Sequence, residues 1–89
     1  MNKQDEIRDW FKYLYDDAVY KQKHGGFTGL WQDAYTDVLT KLETKPTDEE
    51  LLSWLKQKFE EFRQMAISMV YKSAITILTR EEVNNEKGK

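Results

Sequence analysis

Apolar residues recur at intervals of three and four along most of this chain, which is the spacing of one face of an α-helix. The pattern predicts three helices, over residues 3 to 23, 29 to 44 and 48 to 79. The polar residues 80 to 89 are predicted to form a frayed tail. We therefore expect a single all-α domain, an antiparallel three-helix bundle with a long C-terminal helix.

The first predicted helix has a capped beginning and one clear apolar face. Asn2 is suited to cap its start, and Gly25-Gly26 can end it after the basic Lys23. The apolar face comprises Ile7, Trp10, Phe11, Leu14, Tyr15 and Ala18.

Two tyrosines, Tyr13 and Tyr20, fall on the opposite side of this helix, seven residues apart. The residues around them are Asp9, Asp16 and Asp17. Exposed aromatic side chains are common, so one interpretation is that both tyrosines are surface residues without a binding role. The pair also suits a contact strip for a protein partner, since tyrosine offers a large contact area at little entropic cost. Both interpretations stay open at this point.

The second predicted helix has a wider apolar arc. Thr28 can cap its beginning, with Phe27 just outside. The arc comprises Trp31, Ala34, Tyr35, Val38 and Leu42, with Leu30 and Leu39 at its flanks. An arc of roughly 180° suits a helix that touches two neighbours, so we place this helix in the middle of the packing.

The third predicted helix starts at a strong signal and is unusually long. Pro46 stops the preceding helix, and Thr47 and Glu50 have the spacing of a capping box. At about 1.5 Å per residue, the whole segment would span roughly 50 Å. Whether it is continuous or broken near residues 65 to 68 stays open.

The two halves of this segment differ in apolar surface. The first half has a narrow seam, formed by Leu52, Leu55, Phe59 and Phe62. The second half is apolar over roughly 240° of the helical wheel. In one interpretation, the first helix covers part of this wide apolar surface and the rest is ordinary marginal exposure. In the other, the uncovered surface forms an interface, because monomers rarely leave large apolar patches in water. The candidate interface residues are Ile67, Tyr71, Ala74, Ile75 and Leu78.

Trp54 lies off the seam of the third predicted helix. Packing against the loop around Pro46 is the commoner explanation for such a residue. An exposed tryptophan would instead be a candidate binding hot spot, so Trp54 joins Tyr13 and Tyr20 as a predicted partner-binding residue.

Composition and charge argue against several functions. The 89 residues carry a net charge of −2, with 34% charged residues and no cysteine. Charges of both signs are interspersed, which argues against nucleic-acid binding, since that needs several phosphates neutralised together. The chain has no run of about 18 apolar residues to predict a membrane span. Its polar N-terminus does not resemble a signal peptide, so we expect a cytoplasmic location, or export by a route that uses no such signal.

Side chains suited to catalysis are sparse. His24 is the single histidine, and no cysteine accompanies it. The glycine-rich residues 24 to 29 lack the preceding strand and the Lys-Ser/Thr pair of a phosphate loop. Asp33 and Asp37 share a helix face, but two carboxylates without a further ligand do not predict a metal site. We expect no enzyme activity, no catalytic residue, no cofactor and no bound metal.

The turn between the second and third predicted helices has a distinctive sequence, Lys41-Leu42-x-x-Lys45-Pro46-Thr47-Asp48-x-x-Leu51-Leu52, followed by Phe59-x-x-Phe62. It resembles the turn and helix pair of type III secretion needle subunits, short proteins that polymerise through two such helices. In size and helix order the chain is also similar to small bacteriocin-immunity proteins and phage-encoded inhibitors. The first resemblance implies a self-assembling subunit, and the second implies binding to another protein.

The sequence therefore favours a small non-enzymatic helical protein that binds a protein partner, as an inhibitor, an immunity protein or a regulator. The alternative is a self-assembling structural subunit. Its homo-oligomer would form through the second half of the third predicted helix.

Overall fold

Four α-helices make up the part of the chain that the computed structural model describes, residues 2–80. They are α1 (Lys3–Lys23), α2 (Gly29–Glu43), α3 (Asp48–Glu61) and α4 (Ser68–Thr79). The all-α class is confirmed. The prediction of three helices with a long third one was wrong, because that segment is broken into α3 and α4. Apart from Arg80, the predicted frayed tail lies outside the described residues.

Local capping sets the beginnings of α1 and α3, as predicted. The Asn2 side-chain oxygen accepts a hydrogen bond from the backbone N–H of Asp5 at 2.8 Å. At α3 the backbone N–H of Glu50 donates to the Thr47 hydroxyl at 3.1 Å, and the Thr47 N–H donates to the Glu50 carboxylate at 2.9 Å. This reciprocal pair is a capping box, which satisfies two backbone N–H groups that have no partner inside the helix.

Thr28 stands at the cap position of α2, but its side chain has another partner. Its hydroxyl donates to the backbone oxygen of Ala18 on α1 at 2.8 Å. The Gln32 side chain on α2 donates in turn to the Thr28 hydroxyl oxygen at 2.9 Å. Thr28 therefore ties α1 to α2, and it makes no side-chain cap bond.

Replacing Thr47 with alanine is expected to lower the free energy of unfolding by about 1 kcal/mol, because the Glu50 N–H loses its acceptor. Urea denaturation followed by circular dichroism measures the loss. Thr36→Ala is the matched control, since Thr36 is an exposed threonine inside α2, and its change should stay within about 0.5 kcal/mol. Equal losses for the two variants would contradict the importance of the capping box.

The break between α3 and α4 spans residues 62–67 and contains neither glycine nor proline. Backbone hydrogen bonds there join residues three apart, such as Met65 N–H to Phe62 O at 2.8 Å and Ser68 N–H to Met65 O at 3.0 Å. These tight turns reverse the chain, so α4 packs antiparallel against α3. The reversal follows from burial, because a continuous helix would hold much of its apolar second half in water, away from the other helices.

The helices form two hairpins, α1–α2 and α3–α4, packed against each other. The start of α1, the α2–α3 turn and the end of α4 meet at one end of the bundle. There the Gln4 side chain donates to the Pro46 carbonyl oxygen at 2.9 Å. Arg80 donates two hydrogen bonds to the Glu6 carboxylate, at 2.7 and 2.9 Å. The α1–α2 and α3–α4 turns consequently lie together at the opposite end.

Helix α4 lies at the centre of the packing and contacts each of the other three helices. The prediction that α2 lies in the middle of the packing was wrong, because the reversal of the chain brings α4 against all three other helices. The seam of α3 also differs, since Leu51 is buried and Leu52 is half-buried. The core cluster comprises Ile7, Phe11, Ala18, Ala34, Tyr35, Val38, Leu42, Leu51, Leu55, Val70, Tyr71, Ala74 and Leu78. Within residues 2–80, no helix has both the length and the apolar character needed to cross a membrane.

Candidate functional site

The interface predicted in the second half of the third helix lies in the interior of the bundle. Ile67, Tyr71, Ala74 and Leu78 are buried, and Ile75 is half-buried. The apolar excess that the sequence shows is therefore covered largely within the chain itself. In this conformation these side chains present little surface to a partner, and their predicted binding role stays a prediction.

Trp54, another predicted contact residue, is half-buried in the α3–α4 hairpin. Its ring meets that of Tyr71 edge-on, with centroids 6.2 Å apart, while Phe62 stacks on Tyr71 at 5.8 Å. The Lys58 ammonium lies 5.7 Å from the Trp54 centroid and 5.9 Å from the Phe62 centroid. This cation–π arrangement covers part of both rings, so Trp54 contributes to the packing of the hairpin, and its binding role stays a prediction.

The phenol of Tyr71 is buried without a hydrogen-bond partner among residues 2–80, and its side chain is only 1% exposed. Burial raises the pKa of Tyr71 to about 12, and the negative charges of Asp37, Glu61 and Asp33 act in the same direction. A buried hydroxyl that makes no hydrogen bond has lost its bonds to water without replacement, so it does not stabilise the fold.

This raised pKa predicts a loss of stability in alkaline solution. The unfolded chain releases the Tyr71 proton near pH 10, whereas the folded protein keeps it up to about pH 12. The folded protein therefore loses stability as the pH rises from 10 to 12, because the unfolded chain gives up this proton first, and below pH 10 ionisation of Tyr71 has no effect on stability. Between pH 9 and 12 the protein should lose about 2 kcal/mol more stability than Tyr71→Phe. Denaturant unfolding at several pH values measures this difference, and parallel curves for the two proteins would contradict it.

Four rings on the outward side of α1 remain accessible. They belong to Trp10, Tyr13, Tyr20 and His24, and we call them the aromatic strip. Trp10 stacks on Tyr13 with centroids 5.8 Å apart, and Tyr20 stacks on His24 at 4.1 Å. Tyr13 is 62% exposed and Tyr20 is 61% exposed. Each predicted contact tyrosine is thus open to solvent and restrained by a neighbouring ring.

Trp10 was predicted to lie on the buried face of α1, and this was wrong, since its side chain is 43% exposed. It stands at the edge of the apolar arc, and the core positions of α1 are taken by Ile7, Phe11 and Ala18. The spacing of three residues between Trp10 and Tyr13 is the signal that could have placed it on the strip. Tyr13 therefore stacks on a surface residue, Trp10, and not on a core residue.

His24 is the second member of the strip that the sequence analysis did not assign. Its Nδ1 lies 2.8 Å from the backbone oxygen of Tyr20, one turn earlier in α1. That hydrogen bond and the ring stack together fix the imidazole against Tyr20. The spacing of four residues between the two was the available signal.

Carboxylates border the strip, and they differ in whether the chain itself neutralises them. Asp17 pairs with Lys21 at 2.9 Å, and the hydrogen bond to Asp17 raises the pKa of Lys21. Asp9 and Asp16 have no ion-pair partner among the residues that the structure describes. Their negative charge is open to a cation from outside.

Other exposed apolar side chains lie in or near the α1–α2 and α3–α4 turns. They are Phe27, Leu30, Met65 and Met69. Phe27 is fully exposed, and no ring of the described chain stacks on it. These side chains offer contact area without the restraint that stacking gives to Tyr13 and Tyr20.

The surface depressions are open and shallow. One between α1 and α2 has a volume of about 260 Å³ and is lined by Leu14, Asp17, Ala18, Lys21, Thr28, Trp31 and Tyr35. Within residues 2–80, no group of three or more His, Cys, Asp or Glu side chains is placed to hold a metal ion. The aromatic strip is consequently the best-defined candidate site, and its chemistry suits the binding of another molecule.

Comparison with known proteins adds no relative from which a function could be transferred. The resemblances to needle subunits and to immunity proteins stay predictions from the sequence. No protein-family model, no curated protein and no solved structure matches this chain.

Proposed function

We propose that this protein acts by binding another protein through the aromatic strip of α1, and not by catalysis. The observation that carries the proposal is the pair of exposed tyrosines, each held by a stacked neighbour. Tyrosine and tryptophan are enriched among the few residues that dominate the energy of protein interfaces. Because Trp10 and His24 already restrain the two rings, binding would cost little further side-chain entropy.

Inhibitor, immunity or regulatory roles are all consistent with a single contact face on a small helical scaffold. In each of them the rigid bundle would position the strip, and the partner would carry the activity that is controlled. A cytoplasmic location stays part of this prediction.

Self-assembly through the second half of the third predicted helix is the less favoured alternative. It would require Tyr71 and Leu78 to leave the core, where both are buried. Removing such side chains from the interior costs several kcal/mol, which an intermolecular contact would have to offset. The strip, by contrast, is accessible without any rearrangement.

Removing both tyrosine rings is expected to abolish partner binding while leaving the bundle folded. Tyr13→Ala/Tyr20→Ala should raise the Kd by at least about 100-fold, because hot-spot residues contribute about 2 kcal/mol or more each. A pull-down from the native host with the unaltered protein supplies the partner. Calorimetry with the purified partner then gives the Kd for each variant.

Lys56→Ala/Gln57→Ala is the matched control, since these two residues are exposed on α3. This control variant should bind with unchanged Kd, and thermal melts of both variants check that the fold is intact. If the double tyrosine variant binds the purified partner as tightly as the unaltered protein, the strip is not the binding surface.

A further inference from the structure

The aromatic strip contains a repeated arrangement in which an aspartate precedes a tyrosine by four residues. Asp9 precedes Tyr13 and Asp16 precedes Tyr20, so the two pairs are seven residues apart. Residues four apart on a helix are surface neighbours, with Cβ atoms about 5 to 6 Å from each other. All four side chains are exposed. Each pair therefore places one carboxylate beside one accessible ring.

Neither aspartate is neutralised within the described chain, although a basic residue stands close to both. Lys12 is three residues from Asp9 and four from Asp16. Even so, no Lys or Arg nitrogen of the described residues lies within 4.0 Å of either carboxylate. Lys21 is held by Asp17 at 2.9 Å. The strip thus presents, at a regular interval, two carboxylates that have no ion-pair partner among residues 2–80.

Arginine is the side chain that can interact with both the carboxylate and the tyrosine ring of such a pair. Its planar guanidinium can lie over a tyrosine ring while it donates two parallel hydrogen bonds to a carboxylate. Lysine supplies the charge, but it has no plane to stack. Tyr13 and Tyr20 each stack on one neighbouring ring and are still more than half exposed, so ring surface remains for an incoming guanidinium.

The interval between the two pairs favours a helical occupant. Seven residues of α-helix rise about 10.5 Å, and a partner helix lying along α1 repeats one face at the same interval. In an extended strand, residues on one face recur at about 6.6 or 13 Å, and neither interval matches.

We propose that the aromatic strip binds a partner helix carrying two arginines seven residues apart, each seated on one Asp–Tyr pair. This inference rests on the proposed function and adds to it the chemistry and shape of the partner. The Asp9–Tyr13 pair takes one guanidinium and the Asp16–Tyr20 pair takes the other.

Two synthetic alanine-rich helical peptides of identical composition test the proposal. One carries two arginines seven residues apart, on one face, and the other carries them five apart, about 140° from each other around the helix. Calorimetry with the full chain at low salt gives each Kd. The first peptide should bind at least tenfold more tightly than the second, with NMR shift changes concentrated in residues 9–24. Asp9→Asn/Asp16→Asn should remove that advantage while thermal melts show an intact fold.

Several outcomes would overturn the proposal. They are equal affinity for the two peptides, an unchanged preference in Asp9→Asn/Asp16→Asn, and no binding of either peptide at millimolar concentration. Replacing both arginines of the first peptide by lysine should weaken binding severalfold, and equal affinity would overturn the assignment of arginine.

Binding of the natural partner by the two double variants distinguishes failure of this inference from failure of the proposed function. If Tyr13→Ala/Tyr20→Ala loses the partner and Asp9→Asn/Asp16→Asn binds it normally, the protein-binding function stands and the arginine pairing is rejected. If both variants bind normally, the strip is not the binding surface and both proposals are rejected. Loss of the partner in both variants, together with the peptide preference, supports both.

Discussion

Replacing Tyr71 with alanine is expected to lower the free energy of unfolding by about 3 to 5 kcal/mol, as for other large aromatic side chains removed from a core. The Tyr71 ring is buried at the contact of α4 with α3, against Trp54 and Phe62. Alanine would leave a cavity that these neighbours can fill only in part. Small domains have stabilities of about 5 to 15 kcal/mol, so the loss is a large share of the total. Guanidinium denaturation followed by circular dichroism measures it.

Tyr71→Phe is the matched control, because it keeps the ring and removes only the hydroxyl. That hydroxyl has no hydrogen-bond partner among residues 2–80, so its removal should be neutral or stabilising by up to about 1 kcal/mol. An alanine variant as stable as the unaltered protein would show that Tyr71 is not a core residue. A phenylalanine variant that loses more than about 1 kcal/mol would show that the hydroxyl is satisfied.

Replacing Phe11 with alanine is expected to cost a similar amount, about 3 to 5 kcal/mol. Phe11 is fully buried in the α1–α2 hairpin and meets the ring of Tyr35 edge-on, with centroids 5.9 Å apart. The change removes the aromatic contact and leaves a cavity where α1 packs on α2. The same denaturation measurement gives the loss.

Tyr13→Ala, two residues further along α1, is the comparison for this second prediction. Because Tyr13 lies on the exposed side of the helix, its removal should change the free energy of unfolding by no more than about 0.5 kcal/mol. A loss comparable to that of Phe11→Ala would mean that Tyr13 serves the fold and is not free to bind a partner.

Sequence reasoning succeeded where structure is determined by neighbours in the chain. The bounds of α1, the cap at Asn2 and the capping box of Thr47 and Glu50 all depend on residues within a few positions of each other. The start of α3 after Pro46 was predictable for the same reason. The fold class follows from these local signals together with the helical spacing of the apolar residues.

The break at residues 62–67 was not predictable from local signals. The segment contains helix-favouring residues such as Gln64, Met65 and Ala66, and it has no glycine or proline. It bends because the apolar arc of α4 finds cover only when the chain turns back, which is a tertiary effect. The unusually wide apolar arc was the sequence feature related to this bend, but it was equally compatible with burial inside the chain and with an interface.

The candidate site was partly visible in the sequence. The helical period placed Tyr13 and Tyr20 on the outer side of α1, where the structure has them. The two stacking partners were missed for different reasons. Trp10 sits at the edge of the apolar arc, where a wheel cannot distinguish core from surface, and His24 was treated as part of a turn. Ring stacking depends on side-chain conformation, which periodicity does not report.

Residues 48–79 fold back into a hairpin, which buries α4 and leaves the aromatic strip on α1 exposed. The distance between nitroxide labels at Glu49→Cys and Thr76→Cys tests it most directly, because the chain has no cysteine of its own. In the antiparallel hairpin, pulsed electron paramagnetic resonance should give a distance below about 25 Å, from the rise per residue and the usual helix separation. A single population near about 40 Å, the length of 27 residues of continuous helix, would contradict the hairpin.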